Sequence, residues 1–364
     1  NIKDIIPYPP GKPIDELERE YGIAGSIKLA SNENPLGPSP LAVDAMHACL
    51  AGMHRYPDGS GYYLIRALAE HFGMNPGQFV LGNGSNEIIE FLVKAFVQNG
   101  DEVVSSHPSF LMYQKFVQIR GGENIVVPLK AMAHDLEAIS SRISERTRLV
   151  FLDNPNNPTG TIVDPENLYT FLADVPEHVV VVLDEAYVDF ADRDLQADLD
   201  VLINDTDNRC GVVSLRTFSK AYGLAGLRIG FGIMPEAIAG CLHKVRQPFN
   251  INAIALCGAQ AALKDRAFYE RTISSAREGK RYLAQELEKR GCRSFPSQTN
   301  FFLIDVRGDA TVLYESMLRK GVIVRSMKAY GYPNFIRINV GTEAENERFL
   351  TALTESLQEC GYVS

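Results

Sequence analysis

Lys220 lies in a segment that places a primary amine among hydroxyl groups. Thr217 and Ser219 precede it and Arg228 follows, after a short apolar run. Desolvation and neighbouring positive charge lower the pKa of a lysine from about 10.4, and the neutral amine is a nucleophile toward carbonyl groups. These residues therefore suit nucleophilic amine chemistry. The alternative is that the Lys220 side chain is solvated on a polar turn, as most lysine side chains are.

Asp184 follows another apolar run. Residues 179–183 are apolar at consecutive positions, and Tyr187 comes three residues after Asp184. Burying a carboxylate at such a place costs free energy unless a cationic group meets it. The pattern predicts a cationic ligand at Asp184, with Tyr187 close enough to serve the same ligand. The alternative is that Asp184 caps a helix or pairs with a structural arginine.

A turn of small residues at 82–87 lies between a predicted strand and a predicted helix at 86–98. Small residues let the backbone approach a ligand, and the free N–H groups at a helix start bind phosphate. Ser85 and Asn86 are the candidate donors. The turn is an incomplete motif, because Glu87 replaces the last glycine of the dinucleotide fingerprint and no G-K-[ST] follows. A plain strand-to-helix turn capped by Ser85 or Asn86 is the alternative.

The loop 153–160 contains two prolines and a glycine, which restrict the backbone around Asn157. A rigid loop of this kind could hold the Asn157 amide toward a ligand. An ordinary surface turn has the same composition, and on composition alone the surface turn is the better interpretation.

The elements that must position these groups are short buried strands. Consecutive apolar positions predict strands that are buried on both faces, and these runs lie at residues 103–106, 149–153, 179–184, 211–215 and 228–233. Helical patterns between them predict an α/β fold with a mostly parallel sheet wrapped by helices. Ligands bind at the carboxyl edge of such sheets, so we expect the four clusters to meet there.

The pattern changes after residue 265. A charged helix at 266–290, apolar runs at 301–306, 322–324 and 336–340, and a helix from about Glu343 predict a smaller α+β domain. The first thirty residues are rich in proline and glycine and predict an extended arm with little regular structure. We therefore predict an arm over 1–35 that packs with the small domain, a large domain over 36–265 and a small C-terminal domain over 266–364.

The composition excludes several classes of protein. Hydrophobic residues make up 45% of the 364 residues and charged residues 22%, which is typical of a globular chain. The net charge of −9 disfavours general nucleic-acid binding, and no apolar run approaches the roughly 20 residues of a membrane span. Six scattered cysteines without a C-x-x-C pair favour reduced, mostly buried thiols, so we expect a cytoplasmic protein without a metal site.

Taken together, phosphate donors, a buried aspartate, a tyrosine, a held asparagine, a nucleophilic lysine and an arginine are the groups that bind pyridoxal 5′-phosphate (PLP). The chain resembles the PLP-dependent aminotransferases of the aspartate-aminotransferase fold (fold type I, class II) and, within them, the histidinol-phosphate aminotransferase family. The motifs that carry the resemblance lie at residues 8–12, 31–35, 55–58, 84–87, 154–160, 184–187 and 216–228.

The resemblance implies a role for each candidate residue at the cofactor ring. Lys220 would hold PLP covalently as a Schiff base and move the proton on the substrate. Asp184 would pair with the pyridine nitrogen, and Tyr187 and Asn157 would bind the ring oxygen. Phe110 would stack on the ring, where many relatives have tyrosine.

The resemblance also implies how the cofactor phosphate and a partner chain are bound. The residues expected at the phosphate are Ser85, Asn86, Thr217, Ser219 and Arg228. Tyr56 is expected to reach the phosphate of the neighbouring subunit, which implies a homodimer with shared active sites.

The substrate is expected to be bound by arginines next to two C-terminal strands. Arg325 and Arg337, with Tyr8 from the arm and Asn157, would bind the phosphate or carboxylate of the substrate, because one guanidinium can fork onto either group. A surface charge at a strand end is the alternative for Arg325. The implied reaction converts L-histidinol phosphate and 2-oxoglutarate to imidazole-acetol phosphate and L-glutamate in histidine biosynthesis.

Several other functions stay open at this point. Within the same fold, an aromatic amino-acid aminotransferase or a threonine-phosphate decarboxylase would share most of the motifs. A non-catalytic PLP-binding regulator and a nucleotide-binding protein built on the 82–87 turn are the alternatives from other classes.

Overall fold

The computed structural model describes Lys3, Ile5, Pro7 and residues 11–205 and 210–362. The α-helices are α1 (Ile14–Tyr21), α2 (Pro40–Cys49), α3 (Tyr62–Phe72), α4 (Ser85–Phe96), α5 (Met112–Arg120), α6 (Leu136–Ser140), α7 (Pro165–Asp174), α8 (Leu199–Asn204), α9 (Glu236–Val245), α10 (Ala253–Ala262), α11 (Arg266–Lys289), α12 (Ala310–Arg319) and α13 (Glu343–Cys360). The strands are β1 (Ile27–Lys28), β2 (Phe79–Gly82), β3 (Glu102–His107), β4 (Glu123–Pro128), β5 (Thr147–Asp153), β6 (Val180–Asp184), β7 (Gly211–Thr217), β8 (Gly230–Ile233), β9 (Arg293–Ser294), β10 (Phe301–Asp305), β11 (Val322–Ile323), β12 (Arg325–Ser326) and β13 (Phe335–Asn339).

The apolar runs form the central sheet. Among the described residues this sheet has seven strands in the order β2-β8-β7-β6-β5-β3-β4, and every neighbouring pair is parallel except those that involve β8. The predicted α/β fold with a mostly parallel sheet is confirmed. The run at 228–233 begins as a strand only at Gly230, because Arg228 has a left-handed backbone with φ of 55°.

Both faces of the central sheet are buried. Along β5 and β6, Val150, Leu152, Val181 and Leu183 pack into the core on one face, and the alternating residues between them pack into the core on the other face. A strand that is covered on both sides cannot alternate between apolar and polar residues, which is why these runs are continuously apolar. The polar residues that end these strands therefore lie at the sheet edge.

The C-terminal part of the chain builds a second core. Strands β12, β13, β10 and β9 form an antiparallel sheet, which packs with α12 and α13 around Phe302, Ile338 and Phe349. The β1 strand near the start of the chain pairs with β11 in parallel, so the N-terminal segment is attached to this second core. The division into domains at 35/36 and 265/266 stays a prediction.

The expected lack of regular structure in the arm is wrong for α1. The helix begins after Pro13, has Asp15 and Glu16 in its first turn, and buries Leu17 in a cluster with Leu318. Proline at a helix start and acidic residues in the first turn both favour a helix there. Pro13 thus marks the start of a helix.

None of the helices in the described ranges combines the length and the apolar character that crossing a membrane requires.

All six cysteines are free, but only Cys210 and Cys292 are buried. The expectation of mostly buried thiols is therefore wrong: the other four cysteines are half-buried.

Candidate active site

Three neighbouring strands end in polar residues that meet at one cavity. Strands β5, β6 and β7 end at Asp153, Asp184 and Thr217, and the register places Asp153 beside Asp184. The cavity has a volume of about 340 Å³, which is large enough for a small organic ligand. It is lined by Ser31, Glu33, Gly84, Ser85, Asn86, Phe110, Asp153, Asn157, Asp184, Ala186, Tyr187, Thr217, Ser219, Lys220, Ala225 and Arg228.

The Asp184 carboxylate is buried and hydrogen-bonded on both oxygens. The Tyr113 hydroxyl donates to Oδ2 at 2.8 Å, and the Ala186 N–H donates to Oδ1 at 3.2 Å. Burial raises the pKa of Asp184 from 3.8 to about 7, although the hydrogen bond from Tyr113 acts in the opposite direction. A nearby cation would restore the ionised form, so the site favours a positively charged group next to Asp184.

Lys220 carries its amine into the same cavity. Its Nζ donates to the Ser31 carbonyl at 3.1 Å and lies 5.5 Å from the centre of the Tyr187 ring. Desolvation, followed by the positive charge of Arg337, lowers the pKa of Lys220 to about 8. The amine is therefore available in its neutral form at a pH only slightly above neutrality, as a nucleophile requires.

Tyr187 presents a buried hydroxyl group to the cavity. Asn32 donates from Nδ2 to this hydroxyl at 2.9 Å, and the Tyr187 ring packs edge-on against Phe301 at 4.9 Å. Burial raises the pKa of Tyr187, with the charge of Arg337 opposing the shift. The phenol therefore stays protonated near neutral pH and can donate to an oxygen in the cavity.

One end of the cavity concentrates hydrogen-bond donors and positive charge. Ser85 and Asn86 open α4, where free N–H groups and the helix dipole favour negative charge. The Thr217 hydroxyl donates to Ser219 Oγ at 3.0 Å, and the exposed Arg228 places Nη1 at 3.5 Å from the same oxygen. Hydroxyl, guanidinium and backbone donors thus converge from three segments of the chain.

Gly84 is needed where Arg228 approaches the start of α4. A Cβ at Gly84 would lie 2.6 Å from Arg228 Nη2, and the residue has φ of +77°. Any other side chain would displace the guanidinium and strain the backbone. This close approach explains the glycine in the turn that the sequence analysis selected.

The Asn157 loop is held by buried polar groups. The Asn157 N–H donates to Asp153 Oδ2 at 2.8 Å, and His134 Nε2 lies 3.2 Å from Asp153 Oδ1. Arg337 Nη1 donates to Asn157 Oδ1. The loop is therefore part of the site, and the surface-turn interpretation is wrong for Asn157, which is buried.

Arg337 and Arg325 lie opposite each other on neighbouring antiparallel strands. Arg337 is buried, its Nη2 donates to the Ala30 carbonyl at 3.1 Å, and its guanidinium stacks 5.0 Å from the centre of the Phe301 ring. Its Nε is buried without a hydrogen-bond partner. A buried donor without a partner costs free energy. The Arg337 Nε–H therefore remains available to donate a hydrogen bond to an anionic ligand.

The comparisons with known proteins agree with this geometry. The family model for aminotransferase class I and II matches residues 24–353. The chain belongs to the class I and II aminotransferases.

Individual relatives show which members of this family the chain is similar to. This aminotransferase is 62% identical over 363 residues to a histidinol-phosphate aminotransferase of Desulfotalea psychrophila, covering 100% of the chain and 96% of the relative. A histidinol-phosphate aminotransferase of Moorella thermoacetica is 45% identical, with coverage of 98% and 92%. The crystal structure of histidinol-phosphate aminotransferase from Sinorhizobium meliloti in complex with pyridoxal-5′-phosphate superimposes with a TM-score of 0.89 at 29% identity, with 96% of each chain covered. The family resemblance drawn from the motifs is confirmed.

Most of the sequence-predicted residues of this aminotransferase meet at the cavity. Those that line it are Ser85, Asn86, Phe110, Asn157, Asp184, Tyr187, Thr217, Ser219, Lys220 and Arg228. Arg325 and Arg337 lie on the adjacent strands β12 and β13, and Arg325 is half-buried. Tyr8 lies outside the described residues.

Tyr56, like Arg325 and Arg337, does not line the cavity. Its side chain is 84% exposed and stacks on Phe249 with ring centres 4.9 Å apart. A role at the phosphate therefore requires a second chain, as the sequence analysis expected.

Sequence reasoning missed several groups that contact the site residues. Tyr113 binds Asp184, Asn32 binds Tyr187, and Asp153 holds the Asn157 loop. Asn32 lies inside the motif at 31–35 and Asp153 directly precedes the motif at 154–160, so the sequence gave a reason to expect both residues at the site. Tyr113 offered none, because it lies within the buried face of α5, where an aromatic residue is an ordinary core residue.

Proposed function

We propose that the protein transfers an amino group between L-histidinol phosphate and 2-oxoglutarate, giving imidazole-acetol phosphate and L-glutamate in histidine biosynthesis. The observation that carries the proposal is the meeting of Lys220 and Asp184 with an anion-binding end in one cavity. The names and the full-length similarity of the relatives support histidinol phosphate over other amino donors.

The residues present fit PLP as the cofactor. Ser85 and Asn86, at the start of α4, supply backbone N–H donors at the anion-binding end, and Gly84 leaves room at Arg228 that a Cβ would fill. The buried Asp184, with its raised pKa, suits a protonated ring nitrogen, and Lys220 suits an aldehyde carbon. The donor set thus matches a phosphorylated pyridine aldehyde at both of its ends.

Each group would hold a different part of the cofactor. Ser85, Asn86, Thr217, Ser219 and Arg228 would bind the phosphate. Asp184 would hold the ring nitrogen, and Tyr187 and Asn157 would bind the ring oxygen. Phe110 would cover the ring face. When bound, PLP supplies an electron sink for the carbanion that forms at the substrate carbon.

Lys220 would do two kinds of work. It would hold the cofactor covalently, and its amine would then carry the proton that moves between two carbons during amino transfer. The lowered pKa, about 8, suits both tasks, because a group that gives and takes a proton works best when its pKa lies near the operating pH.

Arg337 would bind the anionic group of each substrate. Its buried guanidinium has a free Nε, and its planar fork can accept the carboxylate of 2-oxoglutarate or the phosphate of histidinol phosphate. Arg325, on the facing strand, would add a second positive charge, and Tyr8 would contribute from the arm. An enzyme that alternates between a phosphate and a carboxylate needs this tolerance.

The protein would act as a cytoplasmic homodimer with shared sites. Several large exposed apolar side chains lie on α2, on α3 or in the segment between them, namely Leu41, Leu50, Met53, Tyr56, Tyr62 and Tyr63, and the exposed Phe249 stacks on Tyr56. A set of this kind on one region of the surface is typical of an interaction face. A partner chain on this face would bring its Tyr56 toward the phosphate end.

Steady-state rates with three amino donors would test the proposal. We expect the highest kcat/KM with L-histidinol phosphate and 2-oxoglutarate, and much lower values with phenylalanine. A higher value with phenylalanine would favour an aromatic amino-acid aminotransferase, and release of carbon dioxide from threonine phosphate would favour a decarboxylase. Either result would overturn the assignment.

The role of Lys220 has a matched control in Lys280. Lys280 is a second lysine whose pKa burial lowers to about 8, but it donates to the Ser297 carbonyl outside the cavity. We expect Lys220→Ala to abolish turnover and the visible absorbance of covalently held PLP. Lys280→Ala is expected to retain both, and an active Lys220→Ala enzyme would contradict the assignment.

A further inference from the structure

The segment from Ser31 to Glu33 contacts two reactive groups of the cavity. Ser31 and Glu33 line the cavity, and the Ser31 carbonyl accepts the hydrogen bond from Lys220. Between them, Asn32 turns its side chain to Tyr187 and donates from Nδ2 to the hydroxyl at 2.9 Å. Asn32 is buried and does not line the cavity, so its side chain reaches the site through Tyr187.

This hydrogen bond restricts where the Tyr187 hydroxyl hydrogen points. A phenol has a single hydrogen to donate, and burial raises the pKa of Tyr187, so the hydroxyl keeps that hydrogen. Because the Asn32 amide donates to the oxygen, the hydroxyl does not donate to Asn32. Within the described ranges no protein group accepts from the hydroxyl, which leaves its hydrogen for a ligand oxygen in the cavity.

We propose that Asn32 is a positioning residue, which directs the Tyr187 hydroxyl hydrogen toward the ring oxygen of PLP. This role rests on the proposed function, because it takes Tyr187 as a ligand of that oxygen. Asn32 itself touches neither the cofactor nor the substrate, and its part is to set the direction of one hydrogen bond.

Two further asparagines hold the backbone of Asn32. The Asn32 N–H donates to Asn339 Oδ1 at 3.0 Å, and Asn300 Nδ2 donates to the Asn32 carbonyl at 3.2 Å. Asn32 has a left-handed backbone with φ of 55°, which asparagine adopts more readily than most residues. Asn339 ends β13 and Asn300 directly precedes β10, so the second core fixes Asn32 against Tyr187.

The stability of the fold does not explain the Asn32 amide. Its Oδ1 is buried without a hydrogen-bond partner among the described residues, and a buried acceptor of this kind costs free energy. A leucine of similar size would avoid this cost. The hydrogen bond to Tyr187 is therefore the better explanation for an amide at this position.

The direction of the Tyr187 hydrogen bond has a spectroscopic consequence. A donor to the ring oxygen stabilises negative charge there, so the oxygen attracts the proton on the nitrogen that joins PLP to Lys220 less strongly. The visible absorbance of covalently held PLP then changes at a lower pH. Asn32→Asp keeps the size of the side chain but offers only acceptors, so it draws the hydroxyl hydrogen away from the cavity.

A pH titration of the visible absorbance of the holoenzyme, with a fluorescence titration of the cofactor-free protein by PLP, tests this role. We expect Asn32→Asp to raise the midpoint of the absorbance change by about one pH unit and the PLP dissociation constant by about tenfold. A wild type that binds no PLP would overturn the proposed function and this role together. A PLP-binding wild type that Asn32→Asp matches in both titrations would overturn the role of Asn32 alone.

Asn32→Gly is the second variant, because glycine keeps the left-handed backbone without the amide. The hydroxyl then has no fixed partner, and we expect the midpoint to rise by less than in Asn32→Asp. Circular dichroism would show that both variants are folded. An unchanged midpoint in a folded Asn32→Gly protein would contradict the proposal.

A double-mutant cycle separates the hydrogen bond from the added charge. In a Tyr187→Phe protein there is no hydroxyl to direct, so Asn32→Asp is expected to move the midpoint much less than in the wild type. Asn34→Asp adds the same charge two residues away, where the amide contacts the Ala221 carbonyl and Thr272, and it should also cause a smaller shift. A full shift in either control would overturn the proposal.

Discussion

At the scale of single residues, the burial of the Asp184 carboxylate is costly. Its carboxylate is withdrawn from water, and its pKa rises to about 7 as a result. The Tyr113 hydroxyl, held by stacking of its ring on Phe151 at 4.6 Å, is the side-chain donor that favours the ionised form. We interpret Tyr113 as a positioning residue, which acts on the cofactor through Asp184.

Replacing Tyr113 by phenylalanine removes the hydrogen bond to Asp184 and is expected to weaken PLP binding. Without the donor, the pKa of Asp184 should rise further above about 7, because a hydrogen bond to the charged form is lost. We expect the dissociation constant for PLP to rise about tenfold or more, and the acidic limb of the kcat profile to move to higher pH. Fluorescence titration of the cofactor-free protein and a pH–rate profile would measure the two effects.

Tyr222→Phe is the matched control for Tyr113→Phe. Tyr222 is also a buried tyrosine, but it packs against Phe218 and Tyr269 and does not contact Asp184. We expect this variant to leave the PLP dissociation constant and the pH profile unchanged. If both variants changed the PLP dissociation constant and the pH profile equally, the effect of Tyr113→Phe would not come from its hydrogen bond to Asp184.

Asp184→Asn is expected to stabilise the cofactor-free protein while it removes activity. The folded pKa of about 7 lies above the ordinary 3.8, so the folded state holds a proton that the unfolded state loses first. The wild type therefore loses stability through this group as the pH rises from about 4 to about 7. The asparagine variant should be more stable at pH 8 by up to about 3 kcal/mol.

Denaturant unfolding of cofactor-free protein at pH 5 and pH 8 would measure this difference. The advantage of Asp184→Asn should grow between these two pH values, whereas Asp174→Asn, at an exposed carboxylate, should show no such growth. A cofactor-free Asp184→Asn protein that is less stable than the wild type at pH 8 would contradict the assigned pKa direction.

At the scale of elements, the start of α4 and the segment at Arg228 form the unit that we propose binds the cofactor phosphate. A Cβ at Gly230 would lie 2.5 Å from the Ser85 backbone nitrogen, and a Cβ at Gly84 would lie 2.6 Å from Nη2 of the Arg228 side chain. The unit therefore depends on glycine on both sides, and it forms only when β8 pairs with β2 and β7.

Gly84→Ala tests this unit against a control with the same backbone strain. Gly84 and Gly73 have φ of +77° and +68°, but a Cβ at Gly73 meets nothing within 4 Å. Both variants should cost about 1–2 kcal/mol of stability. Only Gly84→Ala should raise the dissociation constant for PLP, by about tenfold or more, because only this change displaces Arg228. Equal PLP binding by the two variants would argue against an anion site here.

At the scale of the whole molecule, the exposed apolar face points to a second chain. Phe249 is 47% exposed and has φ of 55°, which is strained for a bulky side chain. Strain of this kind at an exposed aromatic residue is typical of a functional surface. Its stacking on Tyr56 links this face to the proposed phosphate contact of a partner subunit.

Phe249→Asp is expected to weaken the proposed homodimer. Sedimentation equilibrium should give twice the chain mass for the wild type and a shift toward the single chain for the variant, since a charge would be buried at the interface. Ile119→Asp, at a residue that is 50% exposed on α5, should not change the mass. A wild type that sediments as a single chain at micromolar concentration would refute the shared-site proposal.

The sequence predicted the secondary structure correctly wherever a local residue pattern has a single physical cause. Continuous apolar runs placed β3, β5, β6 and β7, because strands buried on both faces must be apolar at every position. The arm was the exception: proline-rich composition concealed α1, which packs Leu17 in a small cluster with Ala30, Leu318 and Ile323.

The sequence by itself therefore determined the fold class, the family and the polar groups at the ends of the strands, since these depend on residue type and spacing. Only the tertiary structure decided that Tyr113 supports Asp184, that Arg325 faces Arg337 and that Asn32 donates to Tyr187. Each of these contacts joins segments that are distant in the chain. Such a contact depends on how the helices and strands pack, and the residues next to it in the sequence do not predict it.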